Sequence, residues 1–153
     1  MKGLGLGALE QRLQHDLNII GYPLNEWVPE RFTKEGERVL DVLIVGAGQG
    51  GLAIAFQLMR ERVNNVLVID KAEPGTEGPW INYARMPILR SPKEVNGPDL
   101  NIPSLSFQAW YEAQFGASSW EAMGKIPTKM WMDYLVWYRR ILQLPVENGV
   151  RLD

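Results

Sequence analysis

Val42-Leu43-Ile44-Val45-Gly46-Ala47-Gly48-Gln49-Gly50-Gly51-Leu52 is the stretch that decides the reading of this chain. The apolar, β-branched run from Val39 to Val45 suits a strand buried on both faces of a parallel sheet. It runs directly into Gly-x-Gly-x-x-Gly. From Gly51 to Arg62 the spacing predicts a helix, with Leu52, Ala55, Phe56, Leu58 and Met59 on its apolar side. Asn64-Asn65 turns the chain, and Val66-Leu67-Val68-Ile69 reads as a second buried strand ending at Asp70. Strand, helix and strand within about 30 residues make a βαβ unit, which is right-handed in nearly all cases.

Each glycine has a job in such a unit. Gly46 makes the tight turn out of the strand, Gly48 lets backbone approach a pyrophosphate, and Gly51 lets the helix pack closely on the strand. The helix N-terminus offers N–H groups and partial positive charge to phosphates. Asp70 follows Gly51 by 19 residues, the spacing at which a carboxylate accepts hydrogen bonds from a ribose hydroxyl. It would repel a 2′-phosphate, which selects FAD or NAD over NADP at this site. Ala47, Gln49, Gly50 and Lys71 complete the candidate cofactor-binding set, Gln49 and Gly50 reading more simply as spacers. The chain contains its own control: Gly3-Leu4-Gly5-Leu6-Gly7-Ala8 also fits the pattern, but no strand leads into it. That copy has no sheet edge to turn from and is rejected.

Composition narrows the classes further. The 153 residues carry 16 Lys and Arg against 18 Asp and Glu, a net charge of −2 that argues against nucleic acid as the main partner. There is no cysteine, so disulfides, thiolate metal sites and a cysteine nucleophile are excluded together. A metal site or a Ser-His-Asp triad would rest on His15 alone, and no metal is expected. No apolar run approaches the eighteen or so residues of a membrane helix. Glu10 and Arg12 interrupt the opening Gly/Leu run before a signal-peptide core forms. The expectation is a cytoplasmic protein without membrane contact.

Around the βαβ unit, Leu6, Leu9, Leu13, Leu17 and Ile20 predict an amphipathic helix that Gly21 and Pro23 stop. Residues 1–38 read as a helical extension and 39–153 as a partial dinucleotide-binding domain. Gly and Pro crowd residues 74–127 into a loop-rich passage. Within it Ser106 should cap a helix that Gly116 ends. Thr128 should cap a second helix running to Leu144, apolar nearly all round and therefore buried on two sides. A missing partner on either side would expose a large apolar patch there. Val150 to Asp153 looks like the start of a further strand. The fold class is α/β: a Rossmann-like βαβ unit with an incomplete, open-edged parallel sheet of two or three strands, an N-terminal helix and an aromatic-rich helical C-terminal part.

Asp41 to Arg140 resembles the N-terminal part of FAD-dependent monooxygenases, both the flavin-containing kind and the N-hydroxylating kind. The glycine loop and Asp70 match their FAD site. Glu77-Gly78-Pro79-Trp80 is similar to a Gly-Gly-Thr-Trp element. Met86 to Val95 and Ile126-Pro127-Thr128 through Tyr138 resemble two later elements in the same order. The resemblance implies bound FAD, a cycle in which NADPH reduces the flavin, and transfer of oxygen to a nucleophilic nitrogen, sulfur or carbonyl. It places Trp80 against the isoalloxazine and favours Arg90, among Arg85, Arg90 and Lys93, as the cation near the flavin. Flavin-containing monooxygenases have an Asn after the Thr or Ser of the second element, where this chain has Pro92 after Ser91. No second Gly-x-Gly-x-x-Gly follows in these residues, so no NADPH site is visible, and a second chain is one source of the missing part. Three readings remain open: an FAD- and NAD(P)H-dependent monooxygenase or its FAD-binding fragment, a non-catalytic FAD- or ADP-binding module, and an NAD-dependent dehydrogenase fragment.

Overall fold

Asn65 starts the sheet. Its carbonyl accepts from the Asp41 N–H at 3.0 Å, and its side-chain amide donates to the Val39 carbonyl at 2.7 Å. From there β1 (Val42–Val45) runs parallel to β2 (Val66–Asp70), with Val42 opposite Val66 and Val45 opposite Ile69. A third strand, β3 (Val146–Asn148), pairs parallel with β2, Val68 opposite Val146 and Asp70 opposite Asn148. The order is β1-β2-β3. This computed structural model describes residues 3–153. The helices are α1 (Leu6–Ile19), α2 (Gln49–Arg60), α3 (Phe107–Phe115), α4 (Ala117–Ala122) and α5 (Thr128–Ile141). The parallel sheet and its helices form the α/β, Rossmann-like unit read from the sequence.

Several details differ from expectation, each for a local reason. β1 is buried on one face only: Ile44 is covered by α2, whereas Leu43 and Val45 are exposed on the other face. Cover on that side is partial: Ile69, opposite Val45, is buried. α2 begins two residues early because Gly48 already has the extended backbone of an N-cap. It ends at Arg60, and Arg62 adopts a left-handed φ of 61°. The third strand falls at Val146–Asn148, not at Val150–Asp153. Pro145 therefore ends the connection after α5 and also leads into a strand; its carbonyl accepts from Val68 N–H.

Ser106 caps α3 as expected, its hydroxyl accepting from Ala109 N–H at 3.1 Å, and Gly116 ends it with φ 85°. Thr128 does not cap α5. Pro127 holds that place with extended backbone, and the Thr128 hydroxyl donates to the Met86 carbonyl at 2.8 Å. The short α4 was not anticipated: six residues between a glycine and Met123 carry too little periodicity to read.

α5 is the spine of the helical part. Trp131, Met132, Tyr134, Leu135, Trp137 and Tyr138 are all buried, so the helix is covered on both sides and the feared patch on it does not arise. Four large apolar side chains are exposed instead in the segment after α1 and at its end, Ile19, Tyr22, Leu24 and Trp27, with Leu4 and Tyr83 exposed elsewhere. α1 joins the helical core through Leu13, which is buried. Glu10 accepts from the Trp137 indole at 3.0 Å and from Arg140, and Asp16 accepts from the Ser104 hydroxyl at 2.6 Å. The rejected glycine copy has a packing role: Gly5 N–H donates to the Ala113 carbonyl, and a Cβ on Gly3 would fall 2.2 Å from that oxygen.

The Tyr134 hydroxyl donates to the Leu105 carbonyl at 2.8 Å and the Tyr138 hydroxyl to the Pro98 carbonyl at 2.7 Å. Burial, then the nearby Asp99 carboxylate, pushes both phenols well above the ordinary value near 10.0; for Tyr138 the Arg60 charge opposes this weakly. A phenol raised in the folded state keeps its proton where the unfolded chain loses it. The stability it supports is thus full below the unfolded value and lost as pH rises beyond it. Urea unfolding should show stability falling as pH rises past about 10, with a slope that approaches about 1.4 kcal/mol per pH unit for each of these rings. A stability profile flat through pH 11 would contradict this.

Candidate functional site

The C-terminal ends of β1 and β2 open onto one crevice. Gly46 leaves β1 with φ 106°, a conformation L side chains rarely adopt, and its N–H donates to the Ile69 carbonyl at 2.7 Å. Gly51 returns under the turn, and a Cβ there would stand 1.8 Å from the Gly46 carbonyl oxygen. The loop is therefore closed by glycine at both ends. Just past them Leu52 N–H makes the first hydrogen bond of α2, to Gly48 O. The N–H groups of Gln49, Gly50 and Gly51 precede that bond and have no intrahelical acceptor. No acidic residue occupies the first turn to neutralise them.

Asp70 points into this loop. Its Oδ2 accepts from Ala47 N–H at 2.7 Å and its Oδ1 from Ala72 N–H at 2.8 Å. A carboxylate has about four acceptor positions, so roughly two stay available to a ligand. They border a cleft of about 310 Å³ lined by Val45, Gly46, Lys71, Val150 and Leu152. Val150 is brought there by its N–H bond to the Asp70 carbonyl at 3.0 Å. The segment after β3 thus forms part of the site, a contribution not anticipated from sequence.

A second cleft, of about 270 Å³, lies on the α5 side of the loop and is lined by Gln49, Trp80, Arg90, Asn96 and Trp131 among others. Gln49 is more than a spacer: its Oε1 accepts from the Trp131 indole at 3.2 Å and ties the glycine loop to α5. Trp80 meets Trp131 edge-on, with ring centroids 6.3 Å apart, and its own buried indole N–H has no hydrogen-bond partner. Arg90 is exposed at the rim. Lys93 is committed elsewhere: its ammonium donates to the carbonyls of Trp120 and Met123 at the end of α4 and lies 4.6 Å from the Trp120 ring centroid. Gly50 has open space around any Cβ. The structure thus brings Gly46, Asp70 and Lys71 to one crevice and Gln49, Trp80 and Arg90 to the adjoining one. His15 is exposed on α1, away from both, and the described residues contain no group of His, Asp and Glu that would hold a metal. No described helix is long and apolar enough to cross a membrane.

Sequence reading overlooked three residues beside the site. Glu77 is buried, and its carboxylate accepts from Arg139 at 2.8 Å, from Asn148 at 2.7 Å and from Gly75 N–H at 2.8 Å. Arg139 interrupts an apolar helix, which was the available signal, but its partners lie 62 and nine positions away.

A family model described as FAD-NAD(P)-binding matches residues 43–153, from the second residue of β1 to the end of the chain. The chain belongs to the FAD-NAD(P)-binding family. An FAD-dependent urate hydroxylase of Xanthomonas campestris pv. campestris is 54% identical over 149 residues, 97% of this chain and 31% of that protein. An FAD-binding monooxygenase, andJ, of Emericella variicolor is 33% identical over 99 residues, 48% of this chain and 16% of that protein. No solved structure was found to match. Both relatives are named for FAD and for hydroxylation or monooxygenation, the lineage that the Glu77–Trp80 and Ile126–Tyr138 elements resemble. The chain spans about a third or less of the length of these relatives.

Proposed function

We propose that residues 39–153 are the FAD-binding part of an NAD(P)H-dependent flavoprotein monooxygenase, and that residues 1–38 are a helical extension packed on it. The observation that carries this is the Asp70 carboxylate, held by the Ala47 N–H at 2.7 Å beside the open N-terminus of α2. The residues fit the cofactor. Backbone at Gly46, Ala47 and Gly48, with the N–H groups of Gln49, Gly50 and Gly51, receives the pyrophosphate. Asp70 takes the adenosine ribose, with Lys71 beside it. Trp80 walls the flavin end, and Arg90 brings positive charge to its rim. When bound, FAD supplies the redox and oxygen-transfer chemistry; the protein supplies position and exclusion of water. NADPH is the hydride donor in this reading, bound outside these residues, either by more of the same polypeptide or by a second chain. Urate is the first substrate to test, because of the name of the 54%-identical relative.

A second reading is an FAD- or ADP-binding module without turnover. Titration of the 153-residue chain with FAD separates the cases. Flavin fluorescence should be quenched on binding, ADP should displace the flavin, and ADP carrying a 2′-phosphate should do so at least about tenfold less well, since Asp70 faces that position. NADPH consumption in air by this chain should not exceed that of free FAD. A chain that binds NAD and not FAD would overturn both flavin readings.

A further inference from the structure

We propose that Glu77, Arg139 and Asn148 form a clamp that positions Gly78 and Trp80 over the glycine loop, so that the sheet, α5 and the flavin end of the site are set together. The inference rests on the FAD-binding reading above. It starts from an arrangement that neither the glycine motif nor Asp70 explains.

Glu77 is only 3% exposed, yet it belongs to the irregular segment between β2 and the rest of the chain. A carboxylate is rarely so buried unless it is paired and hydrogen-bonded. Here Arg139 of α5 makes the ion pair at 2.8 Å. The same guanidinium donates to Asn148 Oδ1 at 2.8 Å and to the Val146 carbonyl at 3.1 Å, both in β3. Asn148 closes the circuit, its amide donating to Glu77 Oε1 at 2.7 Å and to the Ala72 carbonyl at 3.0 Å. Residues 72–77 are therefore held at both ends by one network, with Arg139 as its hub.

The next residue is Gly78, whose φ of 70° turns the chain across the glycine loop. A Cβ built on Gly48 would meet Gly78 Cα at 3.4 Å, and one built on Gly78 would meet Gly48 Cα at 3.4 Å. Two glycines thus face each other backbone to backbone, one of them the residue at which a pyrophosphate approaches. Two positions later Trp80 reaches Trp131 and the cleft with Gln49. The Glu77 carboxylate makes its hydrogen bonds to Gly75, Arg139 and Asn148 and to none of these groups. It acts through Gly78, as a positioning residue, and Arg139 and Asn148 act through Glu77.

This placement makes a specific demand on the ligand. ADP uses the crevice at Asp70, whereas FAD also uses the cleft that Trp80 walls. Loosening the clamp should therefore weaken FAD more than ADP. The test is FAD and ADP titration of the full chain and of Glu77→Gln, Arg139→Gln and Arg139→Lys, alongside thermal unfolding and the depth of flavin quenching. The preference for FAD over ADP should fall about tenfold in Glu77→Gln and Arg139→Gln, with shallower quenching of the bound flavin. Arg139→Lys keeps the charge and should recover part of that preference. The double variant Glu77→Gln/Arg139→Gln should be no worse than either single one, because both break one network.

A role confined to stability would lower the unfolding temperature and leave the FAD to ADP ratio and the quenching unchanged; that result overturns the proposal. If both single variants fail to fold, Asn148→Ala decides, since it leaves the Glu77–Arg139 pair in place. It should lower the ratio about threefold, and an unchanged ratio counts against the clamp. Wild-type chain that binds no FAD would bring down the FAD-binding reading itself, whereas wild-type binding with unaltered variants brings down the clamp alone.

Discussion

Gly51→Ala should weaken FAD binding far more than Gly50→Ala, one residue away. At Gly51 the added carbon would lie 1.8 Å from the Gly46 carbonyl oxygen, 3.0 Å from its carbon and 3.4 Å from Ile44 Cγ2. Two of these neighbours are backbone, and that backbone belongs to a turn whose φ of 106° is already confined to glycine. The turn cannot yield, so α2 must move off the sheet. Moving it withdraws the N–H groups of its first turn from the crevice and strips cover from Ile44. Overpacking of this kind costs about 3 kcal/mol or more. FAD affinity should fall at least about 100-fold, which corresponds to about 2.7 kcal/mol. At Gly50 nothing lies within 4 Å of the added carbon, and the residue is inside a helix. There alanine should raise stability by about 0.5–1 kcal/mol. Urea unfolding and flavin-fluorescence titration of the two variants check both halves. Wild-type affinity in Gly51→Ala would mean that this glycine does not hold helix and strand together as the structure describes.

That contrast also shows what kind of information the sequence carries. Six consecutive residues, Gly46 to Gly51, and one acid 19 positions later were enough to read the βαβ unit and its crevice, because their constraint is local: a turn, a close contact and a helix start, all on adjacent backbone. The Ser106 cap and the Gly116 stop were legible for the same reason. What escaped depends on partners far apart in the chain. β3 is only three residues long and reads as strand only once β2 lies beside it. The bond from Trp131 to Gln49 spans 82 positions and that from Arg139 to Glu77 spans 62, so neither side chain announces its role. The burial of β1 was misjudged on the side of Leu43 and Val45. An apolar run records what a strand's faces tolerate, not which elements among the described residues cover them.

Asp70→Asn is the second large effect, and its interest is that the substitution keeps size and shape. The native carboxylate accepts from two backbone N–H groups, one through each oxygen: Ala47 at 2.7 Å and Ala72 at 2.8 Å. An amide presents only one oxygen. Whichever way it turns, its NH2 group faces an N–H, donor against donor, and one of the two backbone groups loses its acceptor. Ala47 is 3% exposed and Ala72 half-buried, so the oxygen should stay with the Ala47 N–H and the NH2 group should face the Ala72 N–H, a loss of about 1 kcal/mol. The turn after β2 at Ala72 then loses its acceptor, in addition to the charge that would grip a ribose. Together these effects should lower FAD affinity about 100-fold or more. Removing the charge has a second consequence of opposite sign. A 2′-phosphate no longer meets a carboxylate, so the preference for ADP over ADP carrying a 2′-phosphate should shrink about tenfold even as both bind more weakly. Competition titrations against FAD read the two effects separately. Wild-type FAD affinity in Asp70→Asn would sink the assignment of this carboxylate to the nucleotide. Weaker FAD binding with an unchanged preference would confine Asp70 to ordering the loop.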